Sequence, residues 1–167
     1  MTGFVLARTV TYASLFIGLL LVFLPSRLLS WSGVARPAVL GAAQAAGMLV
    51  AAVGAVVALW CVFAFALIGK GTPAPFDPPR RLVIAGPYRF VRNPMYLGAV
   101  TALFGVALFY ESAIVAAYAV GFLLVCHVFV LAYEEPTLRR LFGSDYDAYR
   151  RRVHRWVPGR SGIRGNA

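Results

Sequence analysis

Four apolar stretches divide the chain. Phe4 to Leu24 runs for 21 residues broken only by Arg8 and a few hydroxyls, Ala38 to Ile68 for 31 without a charge, Met95 to Phe109 for 15, and Ala113 to Tyr133 for 21. A bilayer core asks ~20 apolar residues of a helix. The first stretch therefore predicts a span, read as an uncleaved anchor because Pro25, Ser26 and Arg27 follow it in place of a small-x-small cleavage site. The second is too short for two spans and suits one tilted helix, opened by Arg36-Pro37 and closed by Gly69-Lys70-Gly71. The third and fourth, joined by Tyr110-Glu111-Ser112, predict a helical hairpin.

The remaining segments are polar. Lys70 to Pro94 carries Pro at 73, 75, 78, 79 and 87, and a connection of that length and composition is functional or disordered. Past Pro136, the residues Leu138, Leu141, Phe142, Tyr146, Tyr149 and Val153 recur at helical spacing. They predict two short amphipathic helices broken at Gly143, the second restarted by a capping box of Ser144 and Asp147. Trp156 suits a membrane interface. The pattern gives an all-α membrane protein of about four transmembrane helices plus short cytoplasmic C-terminal helices. Its parts are N-terminal transmembrane helices over 1–69, a core over 70–159 and a disordered tail over 160–167.

Composition agrees. With 60% hydrophobic and 13% charged residues and a mean hydropathy of +0.76, against ~25% charged in soluble domains, a water-soluble globular domain is excluded. The sixteen Lys and Arg against six acids give +10, and their placement explains the excess. Five lie in Lys70 to Arg92, eight follow Glu135, and none is in the Tyr110 turn. Basic loops stay cytoplasmic, so with four spans fourteen of the sixteen face the cytoplasm and only Arg27 and Arg36 face outward. Both termini are then cytoplasmic, in a cell (inner) membrane, and no nucleic acid is needed as partner. Cys61 and Cys126 lie within apolar runs, as buried packing residues would, and no metal-ligand spacing occurs.

Two clusters could carry chemistry, and the hairpin brings them to one side: Gly86 to Gly98 before it, and Glu134-Glu135 after it. An acidic pair at a helix end by the membrane is solvated, paired with Arg92 or Arg139, or used. Arg92-Asn93-Pro94 opens the third helix, where anionic groups bind; it equally suits an interfacial turn capped by Asn93. His127 stands seven residues before Glu134 and so shares its helical face. It is a candidate base for an amine or thiol acceptor, or a structural histidine bonded to a neighbouring helix.

Together these residues resemble the integral-membrane methyltransferases that include isoprenylcysteine carboxyl methyltransferase and the phospholipid N-methyltransferases. The likeness covers residues 70 to 158. It rests on G-x-Y-x-x-x-R-[HN]-P-x-Y-x-G at Gly86, Tyr88, Arg92, Asn93, Pro94, Tyr96 and Gly98. It rests also on E-E-x-x-L-x-x-x-F-G-x-x-Y-x-x-Y at Glu134, Glu135, Leu138, Phe142, Gly143, Tyr146 and Tyr149. The resemblance implies S-adenosylmethionine bound on the cytoplasmic side by Arg80, Arg81, Leu82, Val83, Tyr88, Arg92, Asn93, Pro94, Met95, Tyr96, Glu134 and Glu135. It implies methyl transfer to a lipophilic acceptor from the bilayer, a prenylcysteine-like carboxylate, a lipid amine or a thiol. Asn93 replaces a histidine common in the prenylcysteine enzymes. Val130 stands where those enzymes carry an arginine for the substrate carboxylate, which puts that substrate in doubt. A membrane NADPH-dependent reductase of the steroid 5α-reductase type shares a similar turn and is the competing enzyme reading. A non-enzymatic four-helix module is the other alternative.

Overall fold

The computed structural model of the protein describes residues 11–12, 14–69 and 79–158. The first part of the first predicted span, residues 70–78 of the Pro-rich loop and residues 159–167 lie outside these residues. Five helices form among them. α1 (Ser14–Trp31) and α2 (Ala42–Gly69) are long and apolar enough to cross a membrane, and α3 (Pro94–Phe109) is shorter and apolar. α4 (Ala113–Phe129) passes through a π turn, Val130–Glu134, into α5 (Glu135–Arg152). This is the all-helical membrane architecture that the apolar pattern predicts. The stretch Ala113–Arg152 is helical for 40 residues, but its apolar run ends at Tyr133. The membrane-crossing part is therefore 113–133, and α5, with Arg150, Arg151 and Arg152 in its last turn, lies beyond it.

Several boundaries differ from expectation for identifiable reasons. α1 does not stop at Leu24 but continues through Pro25 to Trp31. Ahead of Pro25 the helix is a π turn, Ile17–Phe23, and Leu24 N–H bonds to Leu19 O. This altered register accommodates a residue with no N–H to give. α2 begins at Ala42 rather than Ala38, because Gly41 is extended and its N–H is held by Gln44 Oε1 at 3.0 Å. Asn93 occupies the N-cap of α3, yet its side chain makes no capping bond. The break at Gly143 is present as a residue with φ 49° inside α5, a conformation that glycine adopts freely. The Ser144–Asp147 box is replaced by ion pairs, with Asp147 Oδ1 lying 3.2 Å from Arg139 and 3.7 Å from Arg150.

α3 packs most extensively on α2, not on its hairpin partner α4. The reason is a set of glycines seven residues apart on both helices, Gly47 and Gly54 facing Gly98 and Gly105. A Cβ built on Gly54 would lie 2.5 Å from Gly98 O, and one on Gly98 would lie 2.7 Å from Ala58 N. The backbones therefore touch, which is how helices associate in lipid when apolar burial no longer drives them together. At one end of the bundle, Leu29 and Val34 pack with Ala107, Tyr110 and Val115, so the α1–α2 connection and the hairpin turn lie together. Gln44 closes that end with a 2.9 Å bond to Glu111. The opposite end gathers Cys61, Ala64, Val83 and Tyr88, and the conspicuous polar residues lie there.

Candidate active site

The two sequence clusters meet at this second end. Tyr96, in the first turn of α3, donates its hydroxyl to Glu134 Oε2 at 3.0 Å. The π turn Val130–Glu134 makes this possible. Its wider winding shifts the helical phase, so Glu134 reaches α3 while His127, expected on the same face, meets the C-terminal segment instead. Glu134 is half-buried. Burial raises its carboxyl, the Tyr96 hydrogen bond holds it down in part, and the Glu135 charge raises it again, to about 7.

Glu135 has the opposite environment. Arg155 grips it with two parallel bonds, Nε to Oε1 at 2.7 Å and Nη2 to Oε2 at 2.9 Å, while Arg92 Nη1 lies 2.8 Å from Oε1. Burial disfavours its charge, but the Arg155 hydrogen bond and the Arg92, Arg155 and Arg150 charges outweigh that and hold the carboxyl below its ordinary value. Adjacent carboxyls are thus driven apart, one fixed as an ion and one poised near neutrality. Arg92 is nearly sealed, at 10% side-chain exposure, and while its Nη1 is committed to the Glu135 ion pair, its Nε makes no hydrogen bond. An unused buried donor costs about 1–3 kcal/mol, and this one faces the same cavity as Glu134.

The C-terminal segment straps the cluster together. Tyr149 donates to Tyr88 O at 2.7 Å, Arg92 N–H to His154 O at 2.9 Å, and Asn93 Nδ2 to Arg155 O at 3.3 Å. Beneath these bonds Tyr146, Tyr149 and Val153 pack with Leu82, Leu138 and Phe142. Trp156 Nε1 donates to His127 Nδ1 at 2.9 Å, so Trp156 closes the strap onto α4 rather than standing alone as an interface anchor. With Nδ1 accepting, the neutral His127 ring carries its proton on Nε2.

Two cavities flank the Tyr96–Glu134 bond. A polar one of about 30 Å³ is walled by Tyr88, Arg92, Asn93, Glu134 and Glu135 together with Phe65, Leu82, Val83, Tyr146 and Tyr149. An apolar one of about 260 Å³ lies among α1 to α4, between Phe16, Leu20, Val62, Met95, Phe122 and Phe129. Tyr96 belongs to the wall of the apolar cavity and bonds to Glu134 in the wall of the polar one. The residues singled out from sequence are therefore divided. Leu82, Val83, Tyr88, Arg92, Asn93, Glu134 and Glu135 line the polar cavity, and Met95 and Tyr96 the apolar one. Pro94 is buried as the first residue of α3, Arg80 and Arg81 are exposed, and Val130 is fully buried and lines neither cavity. Sequence reasoning missed Arg155, because nothing distinguishes it from the other basic residues of the tail.

A family model described as phospholipid methyltransferase matches residues 42–145, most of the chain and both sequence clusters. The chain belongs to that family. Among curated relatives, methanethiol S-methyltransferase 1 of Bradyrhizobium diazoefficiens is 33% identical over 101 residues, 58% of this chain and 31% of that protein. The match thus spans under a third of that relative's length. No solved structure matches. Membership sets the chain among the phospholipid methyltransferases, a family other than the steroid 5α-reductases of the competing reading.

Proposed function

We propose that the protein transfers a methyl group from S-adenosylmethionine to a small lipophilic thiol. The observation that carries this reading is the Tyr96–Glu134 hydrogen bond, which joins the wall of the apolar cavity to the wall of the polar one. The polar side has the donor set that the cofactor needs. Arg92, with its unpaired Nε, suits the amino-acid carboxylate. The rings of Phe65 and Tyr88, packed edge to face with centroids 5.5 Å apart, and Tyr146 nearby give an aromatic wall that suits a sulfonium. Glu134 offers a carboxylate to its positive groups. Glu135, held by Arg92 and Arg155, fixes the wall rather than contacting the ligand. A cavity of about 30 Å³ is small beside ligand pockets of roughly 300–1,000 Å³, so binding requires the polar side to widen.

When bound, the cofactor supplies an already activated methyl group, and no covalent enzyme intermediate is needed. The chain's part is to hold two reactants in line and to exclude water. The apolar side selects the acceptor. No Lys, Arg, Asp or Glu is among the residues that line it, so a carboxylate or ammonium would enter without a counter-charge, at a cost of several kcal/mol. Val130, sealed and apolar, supplies none. A neutral thiol enters without that penalty, and the curated relative is by name an S-methyltransferase acting on methanethiol. The basic residues flanking the site support the reading that it lies, with both termini, on the cytoplasmic side of a cell membrane.

The test is direct. Purified protein in detergent is titrated with S-adenosylhomocysteine, and labelled methyl transfer is then scored over alkanethiols, lipid amines and a prenylcysteine. Preference for thiols supports the reading. Transfer to the prenylcysteine at a comparable rate overturns the acceptor assignment, and absence of homocysteine-nucleoside binding overturns the cofactor.

A further inference from the structure

We infer that Tyr96 is a catalytic residue that takes the proton of the acceptor thiol and passes its own to Glu134, making the enzyme one for acceptors that arrive neutral and protonated. The inference rests on the thiol reading above and deepens it. A thiol has an ordinary pKa of ~8.5, and an apolar pocket raises it further, yet the thiolate is the nucleophile. A proton acceptor must therefore reach the apolar cavity. Among the residues lining it only Tyr96 and Cys126 can exchange a proton, and only Tyr96 continues to a carboxylate. His127 is ill placed for this role, because the Nδ1 lone pair that a base would use is taken by Trp156.

The atoms balance as follows. The S–H bond breaks as a sulfur lone pair forms the new C–S bond to the methyl carbon, and the bond between that carbon and the sulfonium breaks with its electron pair going to sulfur. The thiol proton goes to Tyr96 Oη, the Tyr96 proton to Glu134 Oε2, and Glu134 later returns it to water through the polar cavity. Glu134 loses its negative charge in the event that removes the cofactor's positive one, so a desolvated site carries no net charge change. The groups around Glu134 are Tyr96 on α3, Tyr88 in the turn Gly86–Arg89, Cys126 on α4, Glu135 and Tyr146 on α5, and Arg92 across the cavity. Of the neutral ones, Tyr96 alone donates a hydrogen bond to it. A carboxyl near 7 can both accept and release a proton at neutral pH.

Tyr96→Phe tests this, since it keeps the ring that walls the apolar cavity and removes one oxygen. The expected result is a loss of ~100-fold or more in kcat with an alkanethiol. The loss with an aromatic thiol already ionised at assay pH is under ~10-fold, because that acceptor has no proton to give. Affinity for S-adenosylhomocysteine changes less than twofold. Without any ligand, the infrared carboxyl band of Glu134, assigned by its disappearance in Glu134→Gln, titrates at higher pH in Tyr96→Phe, because the lowering hydrogen bond is gone. Equal losses on both thiols, or a loss of cofactor-product affinity as large as the loss of kcat, or an unmoved infrared titration, overturns the relay while the thiol reading stands. A wild-type protein that binds S-adenosylhomocysteine but methylates no thiol overturns both.

Discussion

The glycine contact between α2 and α3 should govern stability and catalysis together. In Gly54→Ala the added methyl lies 2.5 Å from Gly98 O and against the Ala102 backbone N, where ordinary Cβ contacts are 3.4–4 Å, so the helices must part by about 1 Å. The obstacle is backbone, which cannot rotate away. Overpacking of this kind costs roughly 1–3 kcal/mol, partly offset by up to about 1 kcal/mol of helix propensity that alanine gains over glycine. A net loss of about 1–2 kcal/mol is expected, a five- to thirtyfold fall in the folding equilibrium by the usual ~1.4 kcal/mol per decade. Gly121→Ala in α4 is the matched control, since nothing lies within 4 Å of its Cβ position, and it should be neutral or stabilising. Unfolding in mixed detergent and dodecyl sulfate micelles, followed by the reactivity of buried Cys61 and Cys126, measures both. A 1 Å shift of α3 also stretches the 3.0 Å Tyr96–Glu134 bond, so Gly54→Ala loses methyl transfer in proportion. Indistinguishable stabilities for the two variants would refute the reasoning.

Three further expectations follow from the polar site. Affinity for S-adenosylmethionine rises with pH through about 7 as Glu134 ionises, because a cationic ligand favours the charged carboxyl; calorimetry of Glu134→Gln shows weak binding with that pH dependence gone and the fold intact. Glu135, whose carboxyl is held below its ordinary value, contributes stability that is fully present above the unfolded pKa of ~4.3 and lost as pH falls through the lower folded value. Accordingly Glu135→Gln lowers neutral-pH stability by about 2–3 kcal/mol, and thermal unfolding of the variant is flat across the acid range where the wild type declines. Val130→Arg, which restores the charge of the prenylcysteine enzymes, places an unpaired guanidinium at a fully buried position, so size-exclusion profiles show misfolded protein rather than a gain of carboxylate methylation.

The parts of this molecule that depend on run length and local chemistry are legible in the sequence. Span number, the Tyr110-Glu111-Ser112 turn, the break at Gly143 and the polar residues of the polar cavity can be read from spacing or motif. What escapes is contact across long sequence separation. Arg155 meets Glu135, and Trp156 meets His127, only after the tail has folded back, and periodicity says nothing of that path. The π turn at Val130–Glu134 escapes for a different reason. A seven-residue spacing assumes uniform winding, and one widened turn moves Glu134 from the face of His127 to that of Tyr96. The repeat of glycines at 47, 54, 98 and 105 is visible in the sequence, but it acquires meaning only when the two helices are known to face each other.

The strap and the helix pair differ in how firmly they are held. α2 and α3 are joined along their length by backbone contact, whereas the segment from Tyr149 to Trp156 is tied to the Gly86–Asn93 turn by a few polar bonds and one aromatic cluster. Local opening follows the weaker set. Amide hydrogens of the strap and turn should therefore exchange with solvent well before those of α2 and α3, and the exchange of spent for fresh cofactor would proceed by peeling this edge while the membrane bundle stays closed.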